Sequence, residues 1–218
     1  MSNQNKEKKG ANKKDDFKIN FWNSIKAKIL LLVFGAVLLT VFLNLWTVIP
    51  RVSSDISDIT SNYMVDIATV VGEGIDNEIR MSSYDSIMTT GNLKRLIGNV
   101  AIKDVDGSYS YIVDADGTML YHPTAEKIGK SVENAVVKEV VAKLKSGDRP
   151  KPEVIEYTFN GQKKYAGIYV GKNKEFVMVV NAEKTEIMSG LTSIVSAIVK
   201  GSIFALIVCL IISVFVTR

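Results

Sequence analysis

The chain has 218 residues, with 27 basic and 23 acidic side chains, one histidine (His122) and one cysteine (Cys209). A single cysteine excludes an intrachain disulfide. A zinc cluster or a Cys-His catalytic pair would have to lean on these two residues, and Cys209 lies in an apolar run far from His122.

The charge is uneven. Residues 1–28 hold eight lysines against Glu7, Asp15 and Asp16, whereas residues 51–199 hold 17 basic and 20 acidic side chains. A lysine-rich tail suits either nucleic-acid binding or membrane topogenesis. This one stands directly before an apolar run, so it reads as a cytoplasmic basic tail (1–28), with no nucleic-acid partner expected. Residues 29–49 carry no charge and, at ~1.5 Å per residue, are long enough to cross a hydrocarbon core of ~30 Å. A cleaved signal peptide would have a shorter apolar region and a small-residue cleavage site. This run instead ends in Trp46, Pro50 and Arg51, so transmembrane helix 1 is expected at 29–49. Residues 51–80 repeat apolar side chains at helical spacing, including Ile56, Ile59, Tyr63, Ile67, Val71 and Ile75, which predicts a long amphipathic helix continuing from that span. A second helical stretch is expected over 82–97, with Gly91 as its break.

The pattern then turns to strands. Tyr109–Asp114 is rich in strand formers, an Asp-Gly turn follows at Asp116-Gly117, and Thr118–His122 resumes the pattern up to Pro123. Residues 131–145 show helical spacing through Val132, Val136, Val137, Val140, Val141 and Leu144, closed by Gly147. After a rigid Arg149-Pro-Lys-Pro152 connection come strands at 154–159, 163–170 and 176–182, joined at Asn160-Gly161 and at 171–174. The order predicts an α+β domain over 51–190, with a five-stranded antiparallel sheet, helices on one face and the long N-terminal helix against them. A concave sheet face roofed by loops is a natural small-molecule pocket. Transmembrane helix 2 is expected at 194–217, with Lys200 near its outer boundary. Lysine-weighted flanks stay in the cytoplasm, so the N-terminus is expected inside, 51–190 outside and Arg218 inside, in a multi-pass plasma-membrane protein.

Strand alternation places Tyr109, Tyr111 and Val113 on one face, and Tyr165 and Tyr169 on a shared face of a later strand, with Tyr121 between them in the chain. A tyrosine joins an apolar ring to a polar tip, which suits a pocket for a small polar ligand as well as an ordinary sheet boundary. The adjacent Lys163 and Lys164 adjoin Tyr165, and one of the pair must face away from the pocket if the strand is regular; a lysine there could neutralise a carboxylate ligand, with Lys164 the candidate, or both are simply solvated. His122 is a candidate to line the pocket, to hold a loop in place or to sense pH. Asp104–Gly107 and Asp114–Gly117 resemble the start of a calcium loop, yet neither continues with the required spacing to a glutamate. Turn chemistry explains both, and no metal or cofactor is expected. G-x-S-x-G and H-E-x-x-H are absent from the sequence, so no enzyme is expected.

The segment YIVDADGTMLYHPTAEKIGKSVENAVV (111–137), with EYTFNGQKKYAGIYV and EFVMVVNAEKTEI after it, resembles the core of Cache sensor domains. The whole arrangement resembles the N-terminal sensory half of a bacterial methyl-accepting chemotaxis receptor. That resemblance implies a single extracytoplasmic PAS-like domain that binds small molecules such as amino acids or short carboxylates. It also implies homodimers that signal through the second span into a cytoplasmic output domain, expected outside these 218 residues. The R-x-x-W segment of the amino-acid-binding version is missing before the first strand. The sensor half of a histidine kinase or of a cyclic-dinucleotide enzyme, and a membrane-anchored protein-binding domain, remain as alternative readings.

Overall fold

The structure is a computed structural model that describes residues 25–217. The expected basic tail therefore lies outside the described residues except for its last four. The described chain divides into a compact unit over 51–192 and a second unit formed by the flanking segments. The flanking segments lie in α1 (Ile25–Met81) and α6 (Ser189–Thr217). Both helices are long and apolar enough to cross a membrane. In the apolar part of α1, Thr40, Asn44 and Thr47 each donate to the backbone carbonyl four residues earlier, at 2.7–2.8 Å. That bond keeps a polar side chain satisfied on an apolar helix.

The compact unit contains α2 (Tyr84–Ile87), α3 (Thr90–Ile97), β1 (Tyr109–Asp114), β2 (Met119–Tyr121), α4 (Ala135–Lys145), β3 (Glu153–Phe159), β4 (Gln162–Val170), β5 (Phe176–Glu183) and α5 (Lys184–Ile187). The strands form one antiparallel sheet in the order β2-β1-β5-β4-β3. The result is α+β and PAS-like, an antiparallel five-stranded sheet with a long N-terminal helix. Local chemistry sets the turns. The carboxylate of Asp114 accepts the backbone N–H groups of Asp116 and Thr118 at 2.9 and 2.7 Å, and Gly117 takes a φ of 89°, the left-handed conformation that glycine adopts without penalty.

Helices cover both faces of the sheet, not one as the sequence predicts. On one face Ile112, Tyr165, Tyr169, Met178 and Val180 pack against Met64, Ala68 and Ile75 of α1 and against Leu93 and Ile97 of α3. On the other, Tyr111, Val113, Ala166, Ile168, Val177 and Val179 pack against Val137, Val140, Val141 and Leu144 of α4. The physical reason is visible in β4 and β5. The runs Tyr165–Val170 and Phe176–Ala182 are buried at every position, and a strand without polar alternation has no face to turn to water.

Two helix boundaries also differ from expectation. The break in the 82–97 stretch falls at Met88–Thr89, where the Thr89 hydroxyl accepts the Asn92 N–H, and Gly91 sits inside α3. The helix expected from Ser131 begins at Ala135, with Asn134 as its cap. Residues before the cap are drawn into the sheet: Thr118 bridges Ser131, and the Val132 N–H donates to the Gly117 carbonyl at 2.8 Å. Tertiary pairing overrides the helical spacing there.

Candidate ligand-binding site

A cavity of about 240 Å³ opens on the α4 face of the sheet. β1 contributes Tyr109 and Tyr111, β3 contributes Tyr157 and Phe159, β4 contributes Lys164, and the loop from His122 to Asn134 forms the roof. Aromatic rings from β1 and β3 form the sheet side of the cavity, and polar and charged side chains, Glu126, Lys127, Lys130 and Glu133 among them, form much of the roof; convergent polar groups over an apolar wall suit a small-molecule site.

Several of the polar groups are held by traceable contacts. Asn134 is buried at the N-terminus of α4; its side-chain oxygen accepts the Val136 N–H at 3.0 Å and its amide nitrogen donates to the Tyr111 hydroxyl at 3.3 Å. One residue thus caps the helix and fixes the cavity wall. Burial pushes the Tyr111 and Tyr157 hydroxyls far above the ordinary tyrosine range, so both stay neutral. The Tyr157 hydroxyl donates at 2.6 Å to the side-chain oxygen of Asn181, a fully buried residue on β5. The Asn181 amide nitrogen has no partner and is the lone such buried side-chain atom among the described residues. Lys164 donates to Glu183 at 2.9 Å. At the roof, Lys127 pairs with Glu133 at 3.1 Å and lies 5.6 Å from the Phe159 ring centroid. Among the described residues no group of three His, Cys, Asp or Glu side chains is placed to hold a metal ion.

His122 is buried, with its ring edge-on to Tyr109 at 5.1 Å and tilted on Tyr111 at 5.6 Å. Its Nδ1 accepts the Thr124 N–H at 2.9 Å, which requires a neutral ring carrying its proton on Nε2. Burial first, and then the Lys127 ammonium, hold its pKa below the ordinary histidine value. With the folded pKa depressed, the unfolded chain takes up the proton first as pH falls. The stability from this group is therefore present above about pH 6.5 and is lost as pH falls through that value towards the folded pKa. Thermal unfolding between about pH 7.5 and about pH 5 checks this. His122→Asn, whose amide oxygen can take the Thr124 N–H, is expected to flatten that slope.

The seven candidates from the sequence divide by sheet face. Tyr109, Tyr111, His122 and Lys164 line the cavity. Tyr121, Tyr165 and Tyr169 belong to the core on the α1 face, so their placement in the pocket is corrected. Tyr169 donates to Asp76 of α1 at 2.6 Å, and Tyr165 lies 3.3 Å from the Ser57 hydroxyl. These two fasten the helix to the sheet. Sequence reasoning missed Tyr157, Phe159 and Asn134, which line the cavity, and Asn181, which holds Tyr157 from β5. For Asn181 a signal existed: it is a single amide inside the apolar strand run FVMVVNA.

No family model matches the chain, and no curated protein matches it. Several solved structures are similar. One is a Cache chemosensory domain described for carboxylic acid recognition, with 18% identity over 58% of this chain and 92% of that one, and a TM-score of 0.42. Another is the E. coli DcuS sensor domain, with 11% identity over 63% of this chain and 98% of that one, and a TM-score of 0.38. A third is the ligand-binding domain of Mlp24 with asparagine, with 15% identity over 47% of this chain, and a TM-score of 0.35. The match spans only 38% of that Mlp24 domain's length. The chain's own architecture is an α+β antiparallel-sheet domain in a protein with two helices of membrane-spanning length and apolarity.

Proposed function

We propose that this chain is the sensory half of a Cache-type membrane receptor, of the methyl-accepting chemotaxis class, whose sheet domain binds a small extracellular solute. The carrying observation is the cavity on the α4 face, where aromatic walls meet His122, Asn134 and Lys164. A space of about 240 Å³ fits a small solute, and the three lysines of the lining, Lys127, Lys130 and Lys164, against its two glutamates, Glu126 and Glu133, leave a net positive charge that favours a solute bearing a carboxylate, whether a short organic acid or an amino acid. The chain acts by binding, without catalysis: the ligand prefers one state of the domain and shifts the population towards it. β5 leads through α5 into α6 with only Met188 between the two helices, so a change in the sheet has a short path into the second apolar helix. The receptor works as a homodimer and hands its signal to a cytoplasmic output domain.

Isothermal titration of the full chain in lipid nanodiscs, against a panel of small carboxylates and amino acids, tests the sensor reading. Saturable binding of at least one solute is expected, and failure across the whole panel overturns the reading. The topology has its own check. Protease added to intact cells is expected to cut the sheet domain and spare the lysine-rich tail; the reverse pattern refutes the assigned orientation.

A further inference from the structure

Lys164 is both a wall of the cavity and the partner of Glu183, the last residue of β5. The two are unequally placed. The Lys164 side chain is 12% exposed and the Glu183 side chain 24%. The Lys164 ammonium is the more enclosed of the two and is costlier to leave without a counter-charge, whereas the Glu183 carboxylate, twice as exposed, can turn out to solvent at smaller expense. Releasing Glu183 with the cavity empty would strand the lysine. Releasing it to an incoming carboxylate would not, because one anion replaces another.

A second donor stands beside the pair. In the β4–β5 register Lys164 lies opposite Glu183, and Ala166 opposite Asn181. Lys164 and Asn181 are thus diagonal neighbours on one face, a spacing that a long side chain can bridge. The amide nitrogen of Asn181 is a donor without an acceptor, on a fully buried residue behind the cavity-lining Tyr157, whose hydroxyl it holds.

The junction itself is fastened from both faces. Glu183 is tied to Lys164 on the cavity side. The next residue, Lys184, donates to Glu156 at 3.0 Å and lies 5.5 Å from the centroid of the Tyr165 ring on the α1 side. Resting on the sensor reading above, we propose that a ligand carboxylate takes the place of Glu183 on Lys164, and that this anion exchange unfastens the cavity-side tie of the β5–α5 junction and so starts the signal. Partial loosening follows, since the Lys184–Glu156 tie stays in place.

The test uses the full chain in nanodiscs, with propionate and succinate as probes, on wild type, Glu183→Gln and Lys164→Gln. Circular dichroism verifies that each variant is folded. Glu183→Gln removes the competing anion and is expected to bind the better probe at least about fivefold more tightly than wild type. Hydrogen exchange at residues 183–188 is expected to rise in wild type when the probe saturates it. In Glu183→Gln it is expected to sit at that raised level already, without probe. Lys164→Gln is expected to lose probe binding while showing the same raised exchange. Equal affinity in wild type and Glu183→Gln, or probe binding that leaves exchange at 183–188 unchanged, overturns the anion exchange and leaves the sensor site standing. Absence of binding to both proteins overturns the exchange together with the carboxylate reading of the site.

Discussion

Gly167→Val is expected to lower the unfolding free energy of the sheet domain by about 3 kcal/mol, the upper end for an overpacked core. A Cβ at position 167 would lie 2.8 Å from the carbonyl oxygen of Met64 and 2.9 Å from its carbonyl carbon and Cβ. Two of those atoms are helix backbone and cannot rotate away. The strand cannot yield either, because Gly167 is paired with Val180 of β5 on one side and Val154 of β3 on the other. Only displacement of α1 relieves the clash, and that uncovers Met64 and Ala68, both fully buried. A Cβ on Gly72 of the same helix would fall 2.1 Å from the Tyr169 ring, so α1 is seated at two points along its length. Gly91→Ala is the control: a Cβ there meets nothing within 4 Å, on an α-helical backbone. Alanine is expected to add up to about 1 kcal/mol at that site. Denaturant titration followed by circular dichroism reads both variants. An unchanged midpoint for Gly167→Val would show that α1 does not pack this closely on the sheet.

The same contact explains what the sequence made legible and what it hid. The five strands are readable because short runs of β-branched and aromatic residues are bounded by strong turn pairs such as Asp116-Gly117 and Asn160-Gly161. Alternation also pairs Tyr165 with Tyr169 correctly, since side-chain parity along a strand needs no partner. Which face the pair occupies is a different kind of fact. In the run Tyr165–Val170 both faces are apolar, and the choice is made by α1, whose backbone approaches at Gly167 and whose Asp76 meets Tyr169. Tyr121 is hidden for a related reason. The β1–β2 register pairs Ile112 with Tyr121 and then slips before Val113, so Tyr121 joins Ile112 on the α1 face while Tyr109 and Tyr111 face the cavity. Register between strands is long-range information. His122 and Lys164 were found because a lone histidine and a lysine in a strand are conspicuous; Tyr157 and Asn134 became site residues only through partners distant in the chain.

Tyr157→Phe is expected to cost the sheet domain about 1–3 kcal/mol although it removes a single oxygen. Asn181 is fully buried on β5, and its one side-chain partner is the Tyr157 hydroxyl at 2.6 Å. Without that hydroxyl, the amide oxygen joins the amide nitrogen as an orphan in a low-dielectric interior. Adding Asn181→Val is expected to restore most of the loss. Valine suits a strand, its neighbours along that face include Val177 and Val179, and it leaves no polar atom without a partner. The double variant should therefore unfold at a denaturant midpoint close to or above that of wild type, while Tyr157→Phe alone falls well below both. A double variant no more stable than Tyr157→Phe would mean that the amide is satisfied by something other than Tyr157. The pair also separates stability from sensing. If the Tyr157–Asn181 pair is kept for ligand binding, the double variant should hold its fold and still bind propionate or succinate less tightly than wild type. A buried polar pair that leaves its domain no more stable than an apolar substitute would then owe its presence to the polarity it gives the cavity wall, where Tyr157 lies.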